Sequence, residues 1–203
     1  MGLYRDRIFP AMYDKAMGGE GLTEHRRRQL AGLSGEVLEI GAGTGLNLPC
    51  YPVAVTRLCT VDPNPGMNTR LARRAAASPI EVESHQLAGE SLPFDAGRFR
   101  FAVSTLSLCS IADPVAAVRE IRRVLAPGGR FVFLEHGLHD DPGVQRWQRR
   151  LDRLQHWYAD CTLLLEPQRV LEEAGFDAIE MDTFLLDGAP SIHRFMYRGT
   201  ATR

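Results

Sequence analysis

The stretch Val37-Leu-Glu-Ile-Gly-Ala-Gly-Thr-Gly-Leu-Asn-Leu-Pro49 decides the fold. A short apolar burst, Val37–Ile40, runs into Gly41, Gly43 and Gly45, and apolar character then resumes. That order reads as a buried strand, a tight turn whose missing side chains let a ligand come close to the backbone, and the start of a helix.

From Glu36 onward similar bursts alternate with helical patterns. Strands are predicted at Val37–Ile40, Arg57–Val61, Ile80–Gln86, Phe99–Thr105, Arg130–Leu134, Ala178–Phe184 and His193–Tyr197. Helices are predicted to open at Asn64-Pro65 and Asp113-Pro114, where a capping side chain precedes proline. The second runs to a stop at Pro127-Gly128-Gly129. Such alternation predicts a Rossmann-like open α/β sheet, mostly parallel, with helices on both faces. The last two strands are joined only by LLDGAPS, too short for a parallel crossover, so one antiparallel strand is expected near the edge. Ahead of this domain (36–203), residues 1–35 read as a helical lid segment, broken near Pro10 and at Gly18–Gly21. Residues 140–160 read as a helical insert before the last βα unit.

At 203 residues the chain suits one domain, and 44% hydrophobic with 24% charged residues is globular composition. A formal net charge of -1 offers no attraction to nucleic acid or anionic lipid. Arg26-Arg27-Arg28 reads as a solvated cluster on a polar helix. The four cysteines, Cys50, Cys59, Cys109 and Cys161, are scattered with no Cys-x-x-Cys pair, which argues against a zinc knot or a disulfide framework. No metal is expected. MGLYRDRIFPAMYDKAM is neither a signal peptide nor an apolar anchor, and no window reaches the length of a membrane span. The expected location is cytoplasmic; oligomeric state is left open.

Three ligands compete for the glycine turn. A phosphate loop needs Lys and Ser/Thr after its last glycine, and neither is present. A dinucleotide fold needs G-x-G-x-x-G, and Leu46 fills the place of the third glycine. Glu39, an acid just ahead of the turn, is ill suited to a pyrophosphate and well suited to a cation. Asp62 ends the second strand about 20 residues after the glycines, where an acid accepts bonds from ribose hydroxyls. An adenosine with a cationic part and no phosphate is wanted; S-adenosylmethionine meets those conditions.

VLEIGAGTG, CTVDPNP, AGESLPFDAGRF, FAVSTLSLCSI and IRRVLAPGGRFVFLEH follow one another in the order of the class I S-adenosylmethionine-dependent methyltransferases, which the chain resembles over most of its length. GLNLPCY, DPNPGM, STLSLCS, FLEHG and ADCTLLLEP are more specifically similar to bacterial small-molecule methyltransferases and to animal methyltransferase-like proteins associated with lipid droplets and thiol methylation. The resemblance implies that Glu39, Gly41, Ala42 and Gly43 line the methionine end of the cofactor. Asp62 would take the ribose and Pro63 pack on the adenine. Gly89 and Glu90 would flank the adenine edge, and Thr105 and Leu106 lie beside the methionine chain. The chain departs from many relatives at Ala88, where an Asp often holds the adenine amino group, and at Arg100.

A small, fairly apolar methyl acceptor is implied, a thiol first. Quinone or phenol carbon or oxygen and lipid amines are the alternatives. His136, after Glu135 at the end of the fifth strand, is the candidate catalytic or acceptor-contacting residue. Cys109 and Cys161 read as buried core or pocket lining, and His139 and His156 as surface residues. Trp147, Leu151, Leu154 and Tyr158 share a face of the insert helix, expected to pack on the sheet or to roof an acceptor pocket. The segment around Met12-Tyr13-Asp14 is expected to close over the cofactor. SLCSIADP stands where base methyltransferases carry an aromatic-tipped proline motif, so nucleic acid is not an expected partner. A nicotinamide-dependent oxidoreductase and a non-catalytic cofactor-binding module are the readings from other classes.

Overall fold

The computed structural model describes residues 4–203. A seven-stranded sheet forms the centre, in the order β3-β2-β1-β4-β5-β7-β6. The strands are β1 (Gly35–Ile40), β2 (Val55–Val61), β3 (Glu81–His85), β4 (Phe99–Thr105), β5 (Leu125–His136), β6 (Ala178–Leu185) and β7 (Phe195–Thr202). β1 pairs in parallel with β2 and β4, β2 with β3, and β4 with β5. β7 slots between β5 and β6 and runs antiparallel to both, as the short connection requires.

Strand parity sorts the core. Leu38, Ile40, Ala102, Phe131 and Phe133 enter one apolar cluster, and Val37, Phe101, Val103 and Val132 the other. Both faces are therefore buried, as a parallel sheet demands. Helices α1 (Phe9–Met17), α2 (Glu20–Leu30), α3 (Pro65–Ala75), α4 (Pro114–Val124), α5 (Pro142–Ala159) and α6 (Pro167–Glu173) surround it. α3, α4 and α5 start alike: Asn64, Asp113 or Asp141 accepts main-chain N–H bonds, and proline follows.

Several expected boundaries move. Near Pro10 a π-helical turn, Tyr4–Ile8, gives way to α1, and Pro10 sits in the first turn of α1, where its missing N–H costs nothing. The last strand begins at Phe195 rather than His193 and continues to Thr202. Thr200, Ala201 and Thr202 still pair with β5, a tertiary constraint that local sequence does not signal. Among the described residues, no helix is long and apolar enough to cross a membrane.

Candidate active site

Gly41, Gly43 and Gly45 all adopt left-handed backbone, with φ of 65°, 55° and 83°. Their surroundings differ. A Cβ on Gly41 would stand 2.2 Å from the Ser107 Cβ, and one on Gly45 2.7 Å from Leu71 Cδ1. A Cβ on Gly43 meets nothing nearer than Tyr13 Cε1 at 3.7 Å. The outer glycines are thus packed against the fold, whereas Gly43 faces outward beneath Tyr13.

Two carboxylates flank this turn. Glu39 is 2% exposed and accepts hydrogen bonds from Asn47 Nδ2 (2.8 Å) and Tyr51 Oη (2.9 Å). Burial pushes its carboxyl up to about 7, against those two bonds. Asn47 Nδ2 also donates to Thr105 Oγ1 at 3.0 Å, and Thr105 donates to Gln29 Oε1 at 3.2 Å. Asn47 Oδ1 is buried without a partner among the described residues. Asp62, also buried, accepts from the Gly43 N–H at 2.9 Å and the Asn64 N–H at 2.8 Å, and burial raises its carboxyl. The tip of β2 is therefore stitched to the middle of the glycine turn.

The raised Glu39 carboxyl gives a signed expectation. The folded chain keeps its proton up to about pH 7, whereas the unfolded chain loses it near 4.5. Its contribution to stability is complete below the unfolded value and is lost as pH rises through the folded one. Glu39→Gln does not titrate, so its melting temperature should gain on wild type between pH 4.5 and 7 and then level off. A constant difference across that range in thermal melts would show that Glu39 is already ionised there.

Arg26 corrects the sequence reading. Arg27 and Arg28 are exposed and paired with Glu20 and Glu24, but Arg26 is 2% exposed, with Nε and Nη1 lacking partners among the described residues. Its charge helps lower the Glu39 carboxyl, and it shares a hydrogen bond with the Tyr13 phenol. Helix α1 is fastened over the turn by Asp14, which accepts from Thr44 Oγ1 and pairs with Arg70 (2.8 Å) and Arg74 (3.2 Å).

The remaining candidates divide. Leu106, directly after β4, holds φ 54°, a costly conformation for a branched side chain and a mark of a constrained rim. Gly89 is buried against Ile40, and Pro63 is exposed. Glu90 is half-buried and accepts from the Asp113 N–H at 3.4 Å, so it leans on the start of α4.

At the tips of β4 and β5 a second centre forms. Glu135 is fully buried and accepts from Ser104 Oγ (2.5 Å), the Ser107 N–H (3.0 Å) and the Leu108 N–H (3.2 Å). Burial lifts its carboxyl to about 7. His136 is 8% exposed; its Nε2 lies 3.1 Å from Cys161 Sγ, and Nδ1 has no partner among the described residues. Cys161 Sγ lies 3.1 Å from Cys109 Sγ. The Cys109 contact, followed by that from His136, holds the Cys161 thiol down to about 5. Both cysteines are buried, as expected, yet their convergence on His136 was hidden by their scatter in sequence.

Comparisons with known proteins bear on the family and the fold. Residues 38–133 match the family model described as a methyltransferase domain. The human thiol S-methyltransferase TMT1A (Homo sapiens) is 35% identical over 76% of this chain and 66% of its own length. A phosphatidylethanolamine N-methyltransferase of Cereibacter sphaeroides is 28% identical over 93% of this chain and 94% of its own length. The crystal structure of a possible histamine N-methyltransferase from Thermotoga maritima superposes with a TM-score of 0.69 at 18% identity, covering 100% of this chain and 99% of that one. The chain belongs to the class I S-adenosylmethionine-dependent methyltransferases. It spans just under two thirds (66%) of the length of the human thiol methyltransferase it matches.

Elsewhere the chain departs from its sequence reading. In α5 the buried side chains are Gln148 and Gln155, while Trp147 (57%), Leu154 (55%) and Tyr158 (42%) are exposed. Gln148 explains the inversion: it accepts from the His139 N–H and donates to the Gly137 and Ile192 carbonyls, satisfying loop groups that no apolar side chain could. Among the described residues, then, Trp147, Leu154 and Tyr158 neither bury against the sheet nor form a covered roof. Trp147 instead borders a surface cavity of about 370 Å³ with Arg146, Arg150 and Ile192, and His136 does not line it. His139 is buried beside Phe195, not on the surface.

Proposed function

We propose that the chain transfers the methyl group of S-adenosylmethionine to a small, apolar thiol. The observation that carries the donor half is the opposition of Arg26, a buried cation whose Nε and Nη1 lack partners among the described residues, to the acids Glu39 and Asp62 around a glycine turn whose middle residue faces outward. A zwitterionic amino acid joined to a nucleoside matches that charge pattern. In this reading Arg26 holds the donor carboxylate. Glu39 supplies the charge and Asn47 Oδ1 the acceptor facing its ammonium. Gly41, Ala42 and Gly43 offer close backbone, and Asp62 takes the ribose hydroxyls. Pro63, Gly89 and Glu90 border the adenine, and Thr105 and Leu106 lie beside the methionine chain. α1, pinned by Asp14, serves as the lid.

The sulfonium makes the methyl group electrophilic, so the protein has to align a nucleophile and exclude water. A thiol of pKa about 8.5 is partly ionised near neutrality and needs little help from a base, unlike a phenol near 10. Cys109 after β4, His136 at the end of β5 and Cys161 after α5 form the acceptor side. The four free cysteines suit a reducing, cytoplasmic setting. The named activity of the human relative supports the thiol. The near full-length match to the bacterial phospholipid enzyme makes a lipid amine the second reading.

Calorimetry with S-adenosylmethionine and S-adenosylhomocysteine tests the donor. Release of S-adenosylhomocysteine over alkyl thiols, phenols, quinones and phosphatidylethanolamine then tests the acceptor. Turnover is expected with alkyl thiols; turnover only with phosphatidylethanolamine would replace the thiol by the amine.

A further inference from the structure

We propose that Cys109, His136 and Cys161 form a zinc site with an open fourth position. The second half of the proposal, that this position receives the acceptor thiolate, rests on the thiol reading above.

The three residues come from separate segments: the turn after β4, the last residue of β5 and the loop after α5. Their ligand atoms lie within 4.8 Å of one another, and all three side chains are buried. Two thiolates and an imidazole are donors that select zinc over magnesium or calcium. Zinc–sulfur bonds of about 2.3 Å at a tetrahedral angle set two sulfurs about 3.7 Å apart. The observed 3.1 Å is too close for two uncharged thiols at ease and far beyond a disulfide bond. Parting the sulfurs by about 0.6 Å admits the ion at ordinary bond lengths. A disulfide would leave the third member unexplained, because His136 Nε2 already stands 3.1 Å from Cys161.

The scaffold around the three is rigid, as a metal site requires. The Thr162 N–H donates to the Cys109 carbonyl at 2.8 Å, tying the two cysteine segments together. Asp152 on α5 fixes the loop after Cys161 through Thr162 Oγ1 and the Leu163 N–H, both at 2.7 Å. Glu135 clamps the turn that carries Cys109 and precedes His136 in the chain. None of these contacts explains why two thiols and an imidazole should meet.

Three protein ligands are the count of a catalytic zinc site, which keeps one position for substrate. A thiol entering there loses its proton to solvent and binds as a thiolate. Its sulfur then forms the new bond to the donor's methyl carbon as the sulfonium–methyl bond breaks. The electron pair of that bond passes to the donor sulfur, giving S-adenosylhomocysteine. The product thioether is a neutral, weak ligand and leaves the metal.

The test is titration of the full chain, reduced and stripped of metal with a chelator, with Co²⁺ as the probe. One equivalent should produce thiolate-to-cobalt charge-transfer absorption and the visible bands of a tetrahedral ion, both abolished by Zn²⁺. Cys161→Ser and His136→Ala should each weaken the metal by on the order of 100-fold or more, since even outer contacts are worth ~10–100-fold. Cys59→Ser, outside the cluster, should change nothing. Absence of the charge-transfer band in folded wild type overturns the site, whatever the variants do; so does unchanged affinity in Cys161→Ser. An alkyl thiol should shift the cobalt bands. Unshifted bands with thiol turnover intact remove the acceptor role and leave the methyltransferase reading standing. Metal binding without thiol turnover defeats the thiol reading and the acceptor role that rests on it, and leaves the metal site standing.

Discussion

Arg26→Leu is expected to weaken S-adenosylmethionine binding about 100-fold while leaving 5′-methylthioadenosine, which has no carboxylate, within about twofold. Arg26 is 2% exposed, and two of its donor nitrogens lack partners among the described residues. Hydrogen bonds to a charged group are worth about 1.5–3 kcal/mol each, so two of them to a carboxylate account for about 3–6 kcal/mol, whose lower end matches the roughly 100-fold loss expected. Leucine retains much of the apolar stem and removes a buried cation that is only partly compensated, so the free protein should not lose stability. Calorimetry with S-adenosylmethionine, S-adenosylhomocysteine and 5′-methylthioadenosine separates the possibilities. Equal loss for all three ligands would mean that Arg26 acts by holding Tyr13 and the lid, and the carboxylate assignment would fall.

Gly41→Ala should lower the melting temperature by about 10 °C, against a markedly smaller fall for Gly43→Ala. Both residues have left-handed backbone, which costs any other residue about 1–2 kcal/mol. Only at Gly41 does the new methyl group meet a wall, 2.2 Å from the Ser107 Cβ. Overpacking adds about 1–3 kcal/mol, and a chain of this length loses about 2–4 °C per kcal/mol. Gly43→Ala has room in front of Tyr13 and should act chiefly on cofactor affinity. Equal melting temperatures for the two variants would show that Ser107 yields, and that the packing of the turn is not what requires glycine at 41.

The order of strands and helices was legible because period-two and 3.6-residue patterns are local, as are the proline-assisted caps at Asn64 and Asp113. The antiparallel final strand followed from the length of one connection. Glu39 was legible because it directly precedes the glycine turn, and Asp62 because it ends the next predicted strand; that Asp62 bonds the Gly43 N–H is visible only in the fold. Arg26 was not: three consecutive arginines look alike until the packing of α2 beside Tyr13 buries one and leaves two in water. α5 misled for a related reason, since its apolar stripe predicted the buried face while the unsatisfied carbonyls of Gly137 and Ile192 required Gln148 there instead.

The sequence by itself therefore determined the sheet, its glycine turn and the two acids at the tips of β1 and β2, each read from its own strand-and-turn pattern. The tertiary structure alone decided which arginine is buried and that Cys109, His136 and Cys161 meet. The physical reason is that burial and side-chain convergence depend on which distant segments share a face of the fold, and no local periodicity records that.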